Sequence, residues 1–261
     1  MSTLGVGIPG AGGRMGRELI RAVAEAGDLT LAAASEAPGT PAVGQDAGTL
    51  AGVGPLGVEV GPDNTALADA CDGVVDFSVP AALIALAPRC AERHIPLVVG
   101  TTGLEPAQRA LLDRAAASTA VVFAPNMSVG VNLLFRLTEE AARLLGPAFN
   151  AEVVEAHHRH KKDSPSGTAA RLVEILTQAL SAPDVRHGRH GMVGERPDAE
   201  VGVHAVRGGD VVGEHTVMLL GTGERLELTH RASNRQTFAQ GALRARRWAA
   251  EQPPGLYDMQ D

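Results

Sequence analysis

Residues 157–162, HHRHKK, place six consecutive side chains that carry or can carry positive charge in a chain whose formal net charge is −7. An imidazole exchanges a proton near neutral pH, and an ammonium can hold a carboxylate. In the following DSPSGTA, Ser164 or Ser166 can cap a helix that begins near Gly167, so the amides of Gly167 and Thr168 in its first turn are expected to form an anion site. These features predict a small substrate with several negative charges, such as a dicarboxylate.

Two other interpretations of this segment are open. The apolar run before it predicts a strand, in which His157 and His158 point to opposite faces. His158 and His160 can share a cation, but no Asp, Glu or Cys at suitable spacing completes a set, which argues against a zinc site. A solvated basic turn without function is the second alternative. The helix cap that follows argues against it.

A second candidate site lies near the N-terminus, in LGVGIPGAGGRMGRELI. The literal G-x-G-x-x-G match begins at Gly5, inside a predicted strand, and is interpreted as accidental. The glycines expected at the turn from the first strand into the first helix are Gly10, Gly12, Gly13 and Gly16. Amides at such a turn can hold a pyrophosphate, with Arg14 beside the phosphates. The turn therefore predicts a dinucleotide site, and a glycine-rich turn that binds nothing is the alternative.

Glu36 and two later segments add to this site. Glu36 ends the second apolar run, where a carboxylate hydrogen-bonds the adenosine ribose hydroxyls and disfavours a 2′-phosphate. GTTG, from Gly100 to Gly103, and APNMSVGVN, from Ala124, each follow an apolar run. They are therefore expected at carboxyl ends of strands, where open α/β sheets bind ligands.

The pattern of the chain changes after about Asn126. Before it, short apolar runs alternate with helical patterns, which predicts a parallel sheet covered on both faces. After it come a long helix, a strand, a helix, a Gly-rich connection and three strand-like runs. We predict an α/β protein, with a Rossmann-like dinucleotide-binding domain at residues 1–126 plus 234–261. A smaller α+β substrate-binding domain with a mixed sheet of four strands is expected at 127–233.

Composition excludes several classes. The acidic net charge argues against a nucleic-acid partner, and no uncharged apolar run reaches the ~18 residues of a membrane span. Cys71 and Cys90 lie far apart without a second pair, which suits a reducing cytosol better than a disulfide framework. The N-terminus lacks the features of a targeting segment. We predict a cytoplasmic protein with neither nucleic-acid nor membrane partners.

Several segments together resemble the 4-hydroxy-tetrahydrodipicolinate reductase family, also called dihydrodipicolinate reductase: EAHHRHKKDSPSGTA, GAGGRMGREL, GTTG, APNMSVGVN and GERLELTHRASNRQTFAQGALRA. The similarity runs from about Gly5 to about Trp248. It implies reduction of (2S,4S)-4-hydroxy-2,3,4,5-tetrahydrodipicolinate to tetrahydrodipicolinate with loss of water, in lysine biosynthesis via diaminopimelate. It also implies a homotetramer assembled through the sheet of the second domain.

The resemblance further implies residue roles. His157 matches a proton donor or acceptor, and Lys161 a second proton donor. His158 matches a substrate contact, and the amides of Gly167 and Thr168 would hold a substrate carboxylate. The implied nicotinamide-dinucleotide contacts are Gly10, Ala11, Gly12, Gly13, Arg14, Met15, Glu36, Gly100, Thr101, Thr102, Ala124, Pro125, Asn126 and Met127.

One departure bears on the choice between NADH and NADPH. Ala37 and Pro38 follow Glu36, whereas some family members place there an arginine that grips a 2′-phosphate. We therefore predict that NADH serves at least as well as NADPH, with Arg14 as the remaining candidate phosphate partner. Two rival functions stay open. One is a neighbouring imine or oxo-acid reductase, and the other is a nicotinamide-sensing protein without catalysis, which would not need His157 and Lys161 together.

Overall fold

The computed structural model describes residues 3–261. One unit contains the chain up to Ser128 together with Arg235–Asp261, and the other is Val129–Asn234. None of the helices in the described residues combines the length and apolar character needed to cross a lipid bilayer. The assignment of a dinucleotide-binding domain and a substrate-binding domain, with the boundaries given above, stays a prediction.

The elements are numbered in chain order. The strands are β1 Leu4–Pro9, β2 Leu29–Ser35, β3 Val60–Gly61, β4 Val74–Asp76, β5 Leu97–Val99, β6 Ala120–Phe123, β7 Asn150–His157, β8 Asp184–His187, β9 Glu200–Arg207, β10 Gly213–Leu220, β11 Arg225–Ala232 and β12 Gly255–Tyr257. The α-helices are α1 Arg14–Glu25, α2 Ala47–Ala51, α3 Asn64–Asp69, α4 Leu83–Arg93, α5 Pro106–Ala116, α6 Val129–Leu145, α7 Gly167–Leu180 and α8 Gln236–Ala249.

The first unit is built on a seven-stranded parallel sheet with the order β12-β6-β5-β4-β1-β2-β3. Successive residues of β5 point to opposite faces. Val98 joins the core formed with α1 and α8, whereas Leu97 and Val99 join the core formed with α3, α4 and α5. Both faces of the sheet are therefore covered by helices, as the alternating pattern predicts, and the Rossmann-like fold class is confirmed.

The second unit is built on a five-stranded mixed sheet with the order β11-β10-β7-β9-β8. The central strand β7 runs antiparallel to β10 and parallel to β9. Helices α6 and α7 pack on this sheet, and Phe135, Leu172, Val153 and Val217 belong to their shared core. The carboxyl end of β7 therefore lies between two neighbouring strands, which supply side chains on both sides of it.

Three short edge strands, β3, β8 and β12, are missed by the sequence pattern. The second sheet has five strands rather than the four expected, because β8 lies in the segment assigned to a Gly-rich connection. All four residues of β8 are exposed, so no apolar alternation marks it. β3 is only two residues long. These three short strands form by pairing with a neighbour, and that pairing leaves no signal in the local sequence.

Candidate active site

The glycine turn after β1 brings backbone amides to the carboxyl edge of the first sheet. α1 begins at Arg14, directly after Gly13. Gly10 has φ 68°, a left-handed conformation that favours glycine. A Cβ on Gly16 would overlap the carbonyl oxygen of Gly10, so glycine there allows α1 to pack closely against the turn. Ala11 is buried, and Met15 is half-buried in the first turn of the helix.

Glu36 follows β2 and contacts this turn. Its Oε2 accepts a hydrogen bond from the amide of Gly12 at 3.0 Å, and its Oε1 accepts one from the amide of Ala37 at 2.9 Å. A cleft of about 440 Å³ is lined by the glycine turn, by Glu36 and Ala37, and by the loop after β4. This volume lies within the usual range of small-molecule sites. The cleft thus combines the amino-terminal end of α1, which is suited to phosphate, with a carboxylate that is suited to hydroxyl groups.

A buried carboxylate joins the loops after β4 and β5. Asp76 is fully buried, and its Oδ2 accepts a hydrogen bond from the Thr101 hydroxyl at 2.8 Å. The hydroxyl and the amide of Ser78 donate to its Oδ1. Burial raises the pKa of Asp76, and these hydrogen bonds oppose that rise. Asp76 therefore ties the GTTG segment to the loop after β4.

Two further predicted segments lie at the same edge of this sheet. The residues after β5 and β6 are Gly100, Thr101, Thr102, Ala124, Pro125, Asn126 and Met127. Ala124 and Met127 are buried, Thr102 and Pro125 are exposed, and the Asn126 side chain accepts a hydrogen bond from the amide of Ser128 at 2.9 Å. Because the strands are parallel, their carboxyl ends meet at one edge. The structure thus brings all the predicted cofactor loops together.

In the second unit, one face of β7 changes from apolar to ionisable along its length. Ala151, Val153, Glu155 and His157 alternate along the strand and are all buried. Nδ1 of His157 lies 2.6 Å from Oε2 of Glu155. Arg207 stands opposite His157 in the β7–β9 register and donates to both Glu155 oxygens at 2.7 Å. The imidazole of His157 is therefore hydrogen-bonded to a buried carboxylate, and the guanidinium of Arg207 holds that carboxylate through two hydrogen bonds.

Ser166 joins this group to the start of α7. Its Oγ accepts a hydrogen bond from the amide of Ala169, so Ser166, one of the two predicted candidates, is the helix cap. Its amide donates to Oε1 of Glu155 at 3.1 Å, and its Oγ lies 3.0 Å from Nε2 of His215. The rings of His215 and His157 meet edge to face, with centroids 5.2 Å apart.

The pKa values follow from burial and from these contacts. Burial lowers the pKa of His157, and Glu155 partly opposes this. Burial would raise the pKa of Glu155, but the hydrogen bonds from Arg207, His157 and the Ser166 amide outweigh it and lower this pKa. Burial, followed by repulsion from His157, lowers the pKa of His215 to about 3. Glu155 is therefore ionised and His215 is neutral at neutral pH.

The other predicted residues of the basic segment lie just beyond β7. Lys161 is half-buried, with Nζ 2.9 Å from Oδ2 of the exposed Asp163, and its amide donates to the carbonyl of His158. Gly167 is exposed and Thr168 is buried in the first turn of α7. The structure therefore places the predicted proton donors and the predicted anion-binding amides in one unit. In residues 3–261 no group of three or more His, Cys, Asp or Glu side chains is arranged to hold a metal ion.

Four residues of this group are absent from the sequence-based predictions: Glu155, Arg207, His215 and Gly213. Glu155 has a local signal, because residues two apart on a strand share a face. Arg207 and His215 lie on other strands and meet β7 only through sheet register. Gly213 belongs to the group because it leaves space beside the His157 ring: a Cβ placed there would lie 3.1 Å from Nε2 of His157.

A parallel doubly covered sheet, a glycine turn into the first helix and an acidic residue after the second strand define the Rossmann class of dinucleotide-binding proteins. The chain belongs to the dihydrodipicolinate reductase family. Residues 4–127 match the family model described as "Dihydrodipicolinate reductase, N-terminus", and residues 130–261 match "Dihydrodipicolinate reductase, C-terminus". The family resemblance predicted from the sequence is thereby confirmed, and the protein is an enzyme of the reductase class.

Curated relatives span nearly the whole chain. The 4-hydroxy-tetrahydrodipicolinate reductase of Myxococcus xanthus (strain DK1622) is 52% identical over 258 residues, which cover 97% of this chain and 95% of the relative. That of Halorhodospira halophila (strain DSM 244 / SL1) is 52% identical over 262 residues, which cover 99% and 98%. Both relatives are thus matched over almost their full lengths.

Solved structures share the fold at lower identity. The dipicolinate-bound dihydrodipicolinate reductase from Paenisporosarcina sp. TG-14 superposes with a TM-score of 0.78 at 22% identity, and the match covers 98% of this chain and 97% of that one. The amine dehydrogenase from Mycobacterium smegmatis gives a TM-score of 0.59 at 15% identity, covering 98% and 94%. At these identities the similarity shows the fold alone.

Proposed function

We propose that this enzyme reduces (2S,4S)-4-hydroxy-2,3,4,5-tetrahydrodipicolinate to tetrahydrodipicolinate with loss of water, as a step of lysine biosynthesis via diaminopimelate. Relatives that carry the name of this activity match nearly the whole chain at about half identity. One structural observation carries the assignment: Ser166 both caps α7 and donates its amide to Glu155, the carboxylate on which His157 rests. The proposed proton donor and the proposed anion-binding helix terminus are therefore both held by hydrogen bonds to Glu155.

The substrate proposed for the second unit is a small dicarboxylate. The amides of Gly167 and Thr168 at the start of α7 would hold one carboxylate, because the amino-terminal end of a helix carries partial positive charge that favours an anion. His158 and Lys161 would supply positive or hydrogen-bonding contacts to the other. Dipicolinate, which one relative carries in its solved structure, is the matching stable probe.

The cofactor proposed for the first unit is NADH or NADPH, with NADH at least as effective. The residues fit such a group, because α1 begins directly after the glycine turn and a Cβ at Gly16 would prevent the helix from packing closely against Gly10 and Ala11. The remaining contacts proposed from the sequence are Ala11, Arg14, Met15, Glu36, Gly100, Thr101, Thr102, Ala124, Pro125, Asn126 and Met127. A bound reduced nicotinamide supplies the hydride.

The protein must supply the proton that completes the reduction. The substrate loses water to form a conjugated imine, accepts the hydride at the conjugated carbon and then takes up a proton. We propose His157 as the donor, since imidazole titrates near neutral pH and Glu155 orients its ring. Lys161 is the second candidate donor, and its ammonium can also hold a carboxylate after leaving Asp163.

The proposed assembly is a homotetramer formed through the sheet of the second unit. Exposed apolar side chains on this sheet, among them Val206 and Leu226, support a face that a further copy of the chain covers. Light scattering of the purified protein tests the assembly, and a monomeric mass would contradict it.

The proposed location is the cytoplasm, where the buried free thiols of Cys71 and Cys90 stay reduced.

Coupled turnover tests the proposed reaction. The substrate is generated in situ from pyruvate and aspartate semialdehyde by a synthase, and oxidation of NADH or NADPH is followed by absorbance. A synthase-dependent rate is expected to fall by roughly 10²-fold or more in His157→Ala and Lys161→Ala proteins that remain folded. Wild-type turnover in either variant would exclude that residue as a donor. No rate with either cofactor, in protein that still binds NADH, would favour a neighbouring reductase or a nicotinamide sensor.

A further inference from the structure

Glu155 makes a complete set of hydrogen bonds in the interior of the second unit. The residue is fully buried, and each of its two carboxylate oxygens accepts two donors. Oε1 accepts hydrogen bonds from the Arg207 guanidinium at 2.7 Å and from the Ser166 amide at 3.1 Å. Oε2 accepts a second hydrogen bond from Arg207 at 2.7 Å and lies 2.6 Å from Nδ1 of His157. Parallel bonds from one guanidinium fix the orientation as well as the charge of a carboxylate.

This arrangement determines which nitrogen of His157 carries a hydrogen. An ionised carboxylate can only accept hydrogen bonds, so the atom 2.6 Å from it must be Nδ1–H. Neutral His157 is therefore the Nδ1–H tautomer, and Nε2 is the nitrogen that gains or loses a proton. Nε2 faces Gly213, where the absence of a side chain leaves space beside it.

Building on the proposed function, we propose that Glu155 is the positioning residue of His157, and that Arg207 acts through Glu155 to hold it there. The Nδ1 hydrogen stays bonded to Nδ1, and donates its hydrogen bond to Glu155, throughout the reaction. In the proton transfer, the Nε2–H bond of the imidazolium breaks and its electron pair stays on the ring. The proton bonds to the reduced substrate, and solvent later restores it to Nε2.

The surrounding charges fit this role. Glu155 is the negative group that acts on His157, whereas Arg207 on β9 and Lys161 in the following loop are positive and oppose its protonation. His215 on β10 meets the ring edge to face and is held neutral by burial, and His230 on β11 acts on His215. Removing the charge of Glu155 would therefore leave positive charge and burial unopposed, and His157 would lose its proton at a lower pH.

Two measurements test the proposal. The first is nitrogen NMR of the histidine rings in the resting wild-type protein, without cofactor or substrate. The expected result is a proton on Nδ1 of neutral His157 and none on Nε2. The opposite tautomer would overturn the proposal regardless of whether the enzyme turns over. The wild-type rate in the coupled assay separately decides the proposed function, so the two failures are distinguishable.

The second measurement is the pH profile of kcat for Glu155→Gln and Arg207→Lys, with Glu214→Gln as the matched control. Glu214 is a half-buried carboxylate on β10 that pairs with Arg231. In Glu155→Gln we expect kcat to fall about 10- to 100-fold and the alkaline limb to move down by about one pH unit or more. Arg207→Lys keeps the positive charge but not the two parallel hydrogen bonds to Glu155. We therefore expect a smaller decrease in kcat and a smaller downward shift of the alkaline limb.

The control is expected to keep the wild-type profile. If Glu155→Gln changes only KM, or if its alkaline limb does not move and its kcat stays within twofold of wild type, then Glu155 only supports the fold. If Glu155→Gln does not fold, Arg207→Lys and the wild-type NMR measurement decide the question.

Discussion

The carboxylate of Glu36 accepts a hydrogen bond from the backbone amide of Gly12 at 3.0 Å, so a negative charge is fixed against the glycine turn. Ala37 and Pro38, which follow it, are exposed and carry no positive charge. A 2′-phosphate on the adenosine ribose would meet a like charge at Glu36, and neither of the two residues that follow it is an arginine. The geometry thus supports the expectation that NADH is at least as good a cofactor as NADPH.

Replacing Glu36 is expected to change this preference. Glu36→Ala removes a charged acceptor for ribose hydroxyls, so NADH binding should weaken by about tenfold. NADPH binding should hold or improve, because a repulsive charge is gone. Calorimetric titration with each cofactor measures both constants. Glu59→Ala, which removes an exposed carboxylate of the same unit, serves as the control, and a strong NADPH preference of the wild type would contradict the interpretation.

Thr101 is expected to stabilise the first unit through Asp76. Thr101→Val removes the hydroxyl that donates to a fully buried carboxylate, so the free energy of unfolding should fall by about 2 kcal/mol. The neighbouring Thr102 is exposed, and Thr102→Val should change stability by no more than about 0.5 kcal/mol. Denaturant unfolding without cofactor compares the two variants. Equal effects would exclude the proposed role of the Asp76 bond.

The space beside His157 is expected to matter for turnover. A Cβ at Gly213 would lie 3.1 Å from Nε2 of His157, close enough to displace the ring by a few tenths of an ångström. Gly213→Ala should therefore reduce kcat about tenfold in protein that is still folded. Gly208→Ala is the matched control, since a Cβ there meets nothing within 4 Å. Unchanged kcat in both proteins would indicate that the ring can shift without consequence.

Acid is expected to destabilise the protein partly through Glu152. Burial would raise its pKa, but hydrogen bonds from Arg189, His204 and Arg196 outweigh it and lower the pKa from 4.5 to about 2. The unfolded chain therefore takes up this proton first. The stabilisation from Glu152 is complete above about pH 4.5 and is lost as the pH falls toward 2.

Glu152→Gln is accordingly expected to lower the unfolding free energy at neutral pH by about 2 kcal/mol and to flatten the slope on the acid side. Denaturant midpoints measured across this pH range test both effects. Glu195→Gln, at an exposed carboxylate in the neighbouring loop, should follow the wild-type curve. A variant curve parallel to that of the wild type would mean that other carboxylates dominate acid unfolding.

The helices and central strands are readable from the sequence because each carries its own pattern. β5 and β6 are short apolar runs with both faces buried, and α1 and α7 repeat their buried residues at helical spacing. The edge strand β8 has no such pattern, because an exposed strand pairs on one side and buries no face. The sequence therefore predicts the interior of each sheet better than its edges.

The sequence by itself determined the glycine turn, Glu36, a helix cap at Ser164 or Ser166 and the positions of His157 and Lys161. Each of these features depends on neighbours within a few positions. Only the tertiary structure decided what surrounds His157. Arg207 and His215 lie 50 and 58 residues further along the chain. They reach His157 through the register of paired strands, which no local spacing contains. A side-chain hydrogen bond acts over about 3 Å, so the positioning of His157 became visible only once the chain was folded.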